Sequence, residues 1–221
     1  MKPTEKEINI ALDLMEKLVK AGISAELNEE EDWLSENNDY LEELGVGFNY
    51  GSTKVCLKYD ELENWVIKLS YDRSHDIGIT VFDYCAREAE NYELACEKGL
   101  EKFFAPTYKV GEIEGIGIYL QQKARVDEDY FVECFEDYVI ATYNYDGVED
   151  EDRKQELISD AVYELDDEQS VEAVFSDIAS FYDLVKLNDF ILDREINDLH
   201  SANYGLINDN PVIIDFSGYS I

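Results

Sequence analysis

Two short runs rich in β-branched and aromatic residues, Lys54 to Tyr59 (KVCLKY) and Trp65 to Ser70 (WVIKLS), are separated only by the polar turn Asp60 to Asn64. Parallel strands need a crossover of a dozen or more residues, so this spacing commits the two runs to an antiparallel hairpin. Gly45, Gly47 and Gly51 precede the first run and read as a glycine-rich loop. After Pro106, the stretch TYKVGEIEGIGIYLQQKA predicts two further strands around a Glu-Gly turn, completing a small antiparallel sheet. Between the two strand pairs lies FDYCAREAENYELACEKGL. Its Tyr84, Cys85, Ala89, Tyr92 and Cys96 or Ala95 share one helical face, and Gly99 stands where a helix would stop. This segment should be a helix packed on the strands.

The flanks are helical. Thr4-Glu5-Lys6-Glu7 has the capping-box pattern, and Ile8, Leu12, Met15, Leu18 and Val19 follow at helical spacing until Gly22. That helix is expected to pack against the body of the protein. The acidic segment Glu26 to Glu43 reads as a short surface helix or loop anchored by Trp33, Leu34, Tyr40 and Leu41. From Asp127 to Gln169 the chain is again acidic, with aromatic residues at helix-compatible spacing and a loop near Asp146-Gly147. Val171, Val174, Phe175, Ile178, Phe181, Tyr182 and Val185 predict one buried helix after it.

Charge narrows the partners. The 221 residues hold 52 Asp and Glu against 18 Lys and Arg, a net charge of −34, yet 45% are hydrophobic, with 16 Tyr and 10 Phe. A chain of this length and apolar content buries about 70% of its unfolded surface, so a folded protein with an acidic skin is expected. That skin repels nucleic acid and anionic membranes, which argues against direct binding of either. It serves solubility, or it attracts a basic protein. Cys56, Cys85, Cys96 and Cys134 show neither C-x-x-C pairing nor metal spacing, and Cys85, Cys96 and Cys134 read as core thiols. With no signal-peptide pattern and no apolar stretch of membrane-spanning length, a soluble cytoplasmic protein is expected. His75, in YDRSHD, reads as exposed.

Chemistry concentrates near the end, in NDLHSANYGLINDNPVIIDFSGY, Asn197 to Tyr219. By itself this is an Asn- and Asp-rich turn followed by a strand, and its meaning depends on upstream partners. Lys68 ends the run WVIKL. Glu88 lies on the following helix, 88 − 68 = 20 residues later. Asp198 and Asn203 keep a five-residue step, and Asp215 sits in VIIDF. In this order the pieces resemble the protein kinase-like fold, more closely its compact bacterial and phage-type members than the eukaryotic protein kinases.

The resemblance implies an α+β, two-lobed fold. Residues 44–124 would form an antiparallel N-lobe sheet with one packed helix, and 125–221 a small, truncated helical C-lobe. Residues 1–43 would be an added helix and acidic segment. It also implies an interlobe nucleotide site with a hinge at Gln121 to Ala124. Lys68, paired with Glu88, would supply a fixed positive charge for ATP phosphates. Gly45, Gly47 and Gly51 would let backbone N–H groups approach them, and Leu120 and Gln122 would lie by the adenine. Asn203 and Asp215 would hold Mg²⁺ through hard oxygens, and Asp198 would accept or orient the proton of an attacking hydroxyl. His200 would contact phosphate or brace the loop; read from the residues alone, it is equally a satisfied loop histidine.

The pattern departs from the family in three respects. The residue two positions before Asp198 is Ile196, where a histidine usually braces the metal-binding segment. Asp215 is followed by Phe216-Ser217-Gly218, with the glycine displaced by one. Six residues follow Asp215, too few for an activation segment and a peptide-docking platform, so an ordinary protein-substrate kinase is not expected. The expected function is ATP–Mg²⁺-dependent phosphate transfer to a small molecule or a basic protein tail. The alternative is a non-catalytic acidic binding protein or pseudokinase that grips a basic or DNA-binding partner.

Overall fold

The structure, a computed structural model, describes residues 1–24, 33–51, 53–70, 83–145, 147–148 and 150–218. The expectations for residues 26–32, His75, Asp146 and Tyr219 lie outside the described residues. The chain divides into two compact units, one of residues 1–97 and 105–123, the other of residues 98–104 and 124–221. Among the described residues no helix is long and apolar enough to cross a membrane.

The first unit is α+β. Helix α1 (Glu5–Ala21) starts where Thr4 Oγ1 accepts the Glu7 N–H and the Glu7 carboxylate accepts the Thr4 N–H, and it stops at Gly22, whose φ is 117°. Two short helices, α2 (Trp33–Glu36) and α3 (Asn38–Glu43), lead into β1 (Val46–Tyr50). β2 (Lys54–Tyr59) and β3 (Trp65–Ser70) form the expected hairpin. Helix α4 (Tyr84–Lys98) follows, then β4 (Thr107–Ile113) and β5 (Ile116–Gln122). All neighbours in the sheet are antiparallel, in the order β1-β2-β3-β5-β4.

Alternation along the strands sorts the two faces. Val55, Leu57, Trp65, Ile67, Leu69, Ile116, Ile118 and Leu120 enter the same apolar cluster as Leu14, Met15 and Leu18 of α1. The N-terminal helix is thus part of this unit's core. Trp65 Nε1–H also donates to Glu7 Oε1 at 3.0 Å. The opposite parity of the strands, with Lys54, Cys56, Lys68, Tyr119 and Gln121, belongs to the other face.

The second unit contains α5 (Glu128–Thr142), α6 (Glu151–Tyr163), α7 (Asp167–Phe175), α8 (Phe181–Asp193) and a two-stranded ribbon, β6 (Tyr204–Ile207) with β7 (Asn210–Ile213). Aromatic residues make its core: Phe104 packs on Phe190 and Phe216, and Tyr204 on Phe131, Phe135 and Phe175.

The single buried helix expected through Val185 is two helices. Ser180 Oγ accepts the Asp183 N–H and caps a new start, so α7 ends at Phe175 and α8 begins at Phe181. A side-chain acceptor at an N-cap satisfies a backbone donor that helix continuation would otherwise satisfy, and here the cap prevails. Ile178, Phe181, Tyr182 and Val185 are exposed in consequence. Cys96 is exposed as well, because Ala95 takes the buried position at that turn of α4.

Candidate functional site

The first group of candidate residues is built on the face of the sheet away from α1. Lys68 of β3 places Nζ 2.7 Å from Glu88 Oε2, and Lys54 of β2 places Nζ 2.9 Å from Glu88 Oε1. The Glu88 side chain is fully buried, and the two lysine side chains are 7% and 5% exposed. Helical phase selects Glu88 over Glu90: Cys85, Glu88, Tyr92 and Ala95 form the buried face, whereas Glu90, two residues further on, turns to solvent.

The rotation of α4 is fixed at its start. Asp83 Oδ1 accepts the Ala86 N–H at 2.9 Å and the Ser70 hydroxyl at 2.7 Å, while Ser70 Oγ accepts the Cys85 N–H at 2.8 Å. Tyr119 of β5 donates its hydroxyl to Asp83 Oδ2 at 2.6 Å. Burial and the Asp83 contact hold the Tyr119 phenol well above its ordinary pKa. Ser70 at the end of β3 and Tyr119 in the middle of β5 therefore set the helix phase that aims Glu88 at the lysines.

Other expected members of this group are dispersed. Gly45 lies before β1 and accepts the Asp60 N–H, and Gly47 sits within β1 opposite Lys58. Only Gly51 lies in the β1–β2 turn, where its N–H donates to the Lys54 carbonyl. The glycine-rich loop is thus largely a strand, because ladder pairing with β2 outweighs the low strand preference of Gly47. Leu120 is fully buried in the α1-side cluster, and by parity Gln122 belongs to that face too. Neither shares the face of Lys68, where Tyr119 and Gln121 stand instead. Gln121 is buried and donates to Thr107 Oγ1 at 3.0 Å.

Burial pushes the Cys85 thiol up to about 12, with the Glu88 carboxylate adding to the effect, and burial raises the Cys56 thiol too. Both are poor nucleophiles.

The second group is organised by the β6–β7 ribbon. Asn208 and Asp209, with φ of 51° and 61°, make its two-residue turn, a backbone these residue types tolerate. The register pairs Tyr204 with Ile213, and the next rung carries the Ile214 N–H to the Asn203 carbonyl at 2.9 Å. Asn203 and Asp215 consequently flank the same end of the ribbon. Asn203 Nδ2 donates to the Asp198 carbonyl at 2.6 Å, which assigns its Oδ1 as the atom able to meet a cation. The donor set fits Mg²⁺, which takes one or two protein oxygens and completes its shell with water and phosphate. Among the described residues no group of three His, Cys, Asp or Glu forms a closed metal cage.

Asp198 adopts φ 66°, and its carbonyl accepts both the Asn203 side chain and the His200 N–H. Those two bonds hold the turn and leave the carboxylate projecting at the surface. His200 braces the loop: its Nδ1 accepts the Ala202 N–H at 3.4 Å, which puts the proton of a neutral ring on Nε2, 4.0 Å from Asp198 Oδ2. Asp167, at the start of α7, accepts the Leu199 N–H at 2.8 Å and fixes the loop from behind. Lys54, Asp83 and Asp167 are additions to the residues expected from the sequence.

The histidine missing at Ile196 has a steric counterpart. Gly218, at φ 69°, approaches Glu195 so closely that a Cβ would lie 2.0 Å from the Glu195 carbonyl oxygen. The displaced glycine thus lets the segment after Asp215 lie against the segment before Asp198. Gly218→Ala should cost at least about 2 kcal/mol through positive φ and overlap. Gly147→Ala, where a Cβ meets nothing within 4 Å, should be near neutral. Comparing the thermal melts of the two variants checks this, and equal melts would remove the close-approach role.

Comparison of the chain with protein-family models, with curated proteins and with solved structures finds no match.

Proposed function

We propose that this chain is an ATP–Mg²⁺-dependent phosphotransferase with a kinase-like arrangement, acting on a small molecule or a basic protein tail. The observation that carries the reading is the buried Lys68–Glu88 pair, made by the one glutamate of α4 whose phase allows it. Phosphoryl transfer is mainly positioning and charge neutralisation, so a lysine held by a buried carboxylate suits phosphate oxygens. In the second unit, Asn203 and Asp215 supply hard oxygens for Mg²⁺, and Asp198 supplies the carboxylate that orients a hydroxyl. In a chain of net charge −34, the metal is needed for ATP to bind at all.

The test is a thermal melt with and without ATP and Mg²⁺. A rise of roughly 5–10 °C is expected at about 100 times Kd, dependent on the metal and lost in Asp215→Asn. A wild-type melt that ATP–Mg²⁺ leaves unmoved at any accessible concentration sinks the nucleotide site.

A second reading, a non-catalytic acidic protein that grips a basic partner, is favoured by one observation. Phe181 and Tyr182 are 83% and 66% exposed on α8, close in sequence to the exposed Asp177 and Asp189. Binding to a basic protein that weakens steeply with salt and ignores Lys68→Ala would support it.

A further inference from the structure

The second unit contains a pocket of about 470 Å³, within the range of small-molecule sites. Val132 and Phe135 of α5 and Val162 of α6 give it apolar walls. Asp167, Asp198 and His200 give it a polar end. Its described lining holds two carboxylates and no lysine or arginine. The pocket is also tied to the loop that carries Asp198: the Leu199 N–H, one residue on, donates to Asp167 Oδ1 at 2.8 Å. One rigid corner therefore presents a half-buried carboxylate, Asp167, and an exposed one, Asp198, to the same space.

We propose that this pocket binds the phosphoryl acceptor, and that the acceptor is a small alcohol bearing a cationic amine and an apolar body. The inference rests on the phosphotransferase reading and narrows its acceptor to one class. The apolar body packs on Val132, Phe135 and Val162, the ammonium faces Asp167, and the hydroxyl meets Asp198. An anionic acceptor would meet two carboxylates with no metal of its own to offset them. A neutral one would leave Asp167 without a counter-charge. Burial already holds the Asp167 carboxyl above its ordinary range, and the nearby Asp198 charge adds to this; a ligand ammonium offsets both. His200 sits at the same polar end, its Nδ1 accepting the Ala202 N–H and its Nε2 4.0 Å from Asp198 Oδ2.

In the transfer, the acceptor hydroxyl gives its proton to the Asp198 carboxylate while its oxygen forms a bond to the γ-phosphorus of ATP. The bond from that phosphorus to the β–γ bridging oxygen breaks, and ADP leaves with the electron pair. The products are ADP, the phosphate monoester and a protonated Asp198, which returns its proton to water.

The experiment is an NMR titration of the full chain with 2-amino-1-phenylethanol, paired with its neutral analogue 1-phenyl-1,2-ethanediol. It is run on wild type, Asp167→Asn and Val162→Trp, and the ATP–Mg²⁺ melt shift is recorded for each. Asn keeps an oxygen for the Leu199 N–H while removing the charge. Trp fills the pocket from its wall and leaves both carboxylates in place.

The amine should bind wild type roughly tenfold more tightly than the diol, the scale of one charge-assisted contact. Asp167→Asn should erase that preference, Val162→Trp should abolish both titrations, and the nucleotide shift should survive in both variants. Equal affinities in wild type, or no saturable binding of either compound, overturn the inference while the retained ATP–Mg²⁺ shift leaves the phosphotransferase reading standing. Amine binding that persists unchanged in Val162→Trp also overturns it. Absence of the wild-type nucleotide shift overturns the acceptor role together with the reading on which it rests, whatever the amine does.

Discussion

Glu88→Ala is expected to destabilise the sheet-bearing unit by about 3–5 kcal/mol, the usual cost of removing one partner from a buried ion pair. The loss is large because Glu88 serves two buried lysines, Lys54 and Lys68, with its two oxygens. Without it their charges repel each other across adjacent strands in a low-dielectric setting, where desolvation is not repaid. A loss of this size is about a fifth or more of the stability of an ordinary domain. Both tryptophans, Trp33 and Trp65, lie in this unit, so urea unfolding followed by tryptophan fluorescence reads it directly. Glu90→Ala, on the solvent side of the same helix, should fall within about 0.5 kcal/mol of wild type. Equal losses in the two variants would mean that the buried carboxylate does not organise the lysines.

That contrast also shows what the sequence made legible. The boundaries of α1 were readable because capping is local chemistry: Thr4, Glu7 and Gly22 act on backbone groups within a few residues of themselves. Glu88 was readable for a similar reason, since helical phase relative to Cys85 and Tyr92 is intrinsic to the segment. The break between α7 and α8 was equally local. Ser180-Phe181-Tyr182-Asp183 is an N-cap signature, and the apolar period running through it concealed the new start.

Which face of the sheet a residue takes is decided at a different level. In GIGIYLQQ, strand alternation puts Leu120 with Ile116 and Ile118, but which set faces Lys68 depends on pairing between β3 and β5. β5 reaches β3 across a hairpin, past β4, so that register is set by tertiary packing and a one-residue choice moves every side chain to the other face. Gly45 and Gly47 were misread because glycine signals permission for a turn rather than its presence. Lys54 joins Glu88 only through the β2–β3 register, and Asp167 reaches the Leu199 N–H from 32 residues away. Nothing in their own segments marks either contact.

The backbone of Asp198 favours one substitution over another. At φ 66°, Ala would be strained, whereas Asn tolerates the left-handed region and matches the side chain in shape. The bonds that hold the turn use the Asp198 carbonyl rather than its carboxylate, so Asp198→Asn should leave the loop intact. The variant should keep the full ATP–Mg²⁺ melt shift while turnover, measured as ADP release, falls about 10²- to 10⁴-fold, the range of a lost general base. Asp215→Asn should behave in the opposite order, losing the metal-dependent shift first. If Asp198→Asn turns over at the wild-type rate, the carboxylate has no part in proton transfer and the catalytic assignment falls. If it loses the nucleotide shift as well, Asp198 acts in binding. Retained binding with lost turnover is the pattern that separates a base from a ligand.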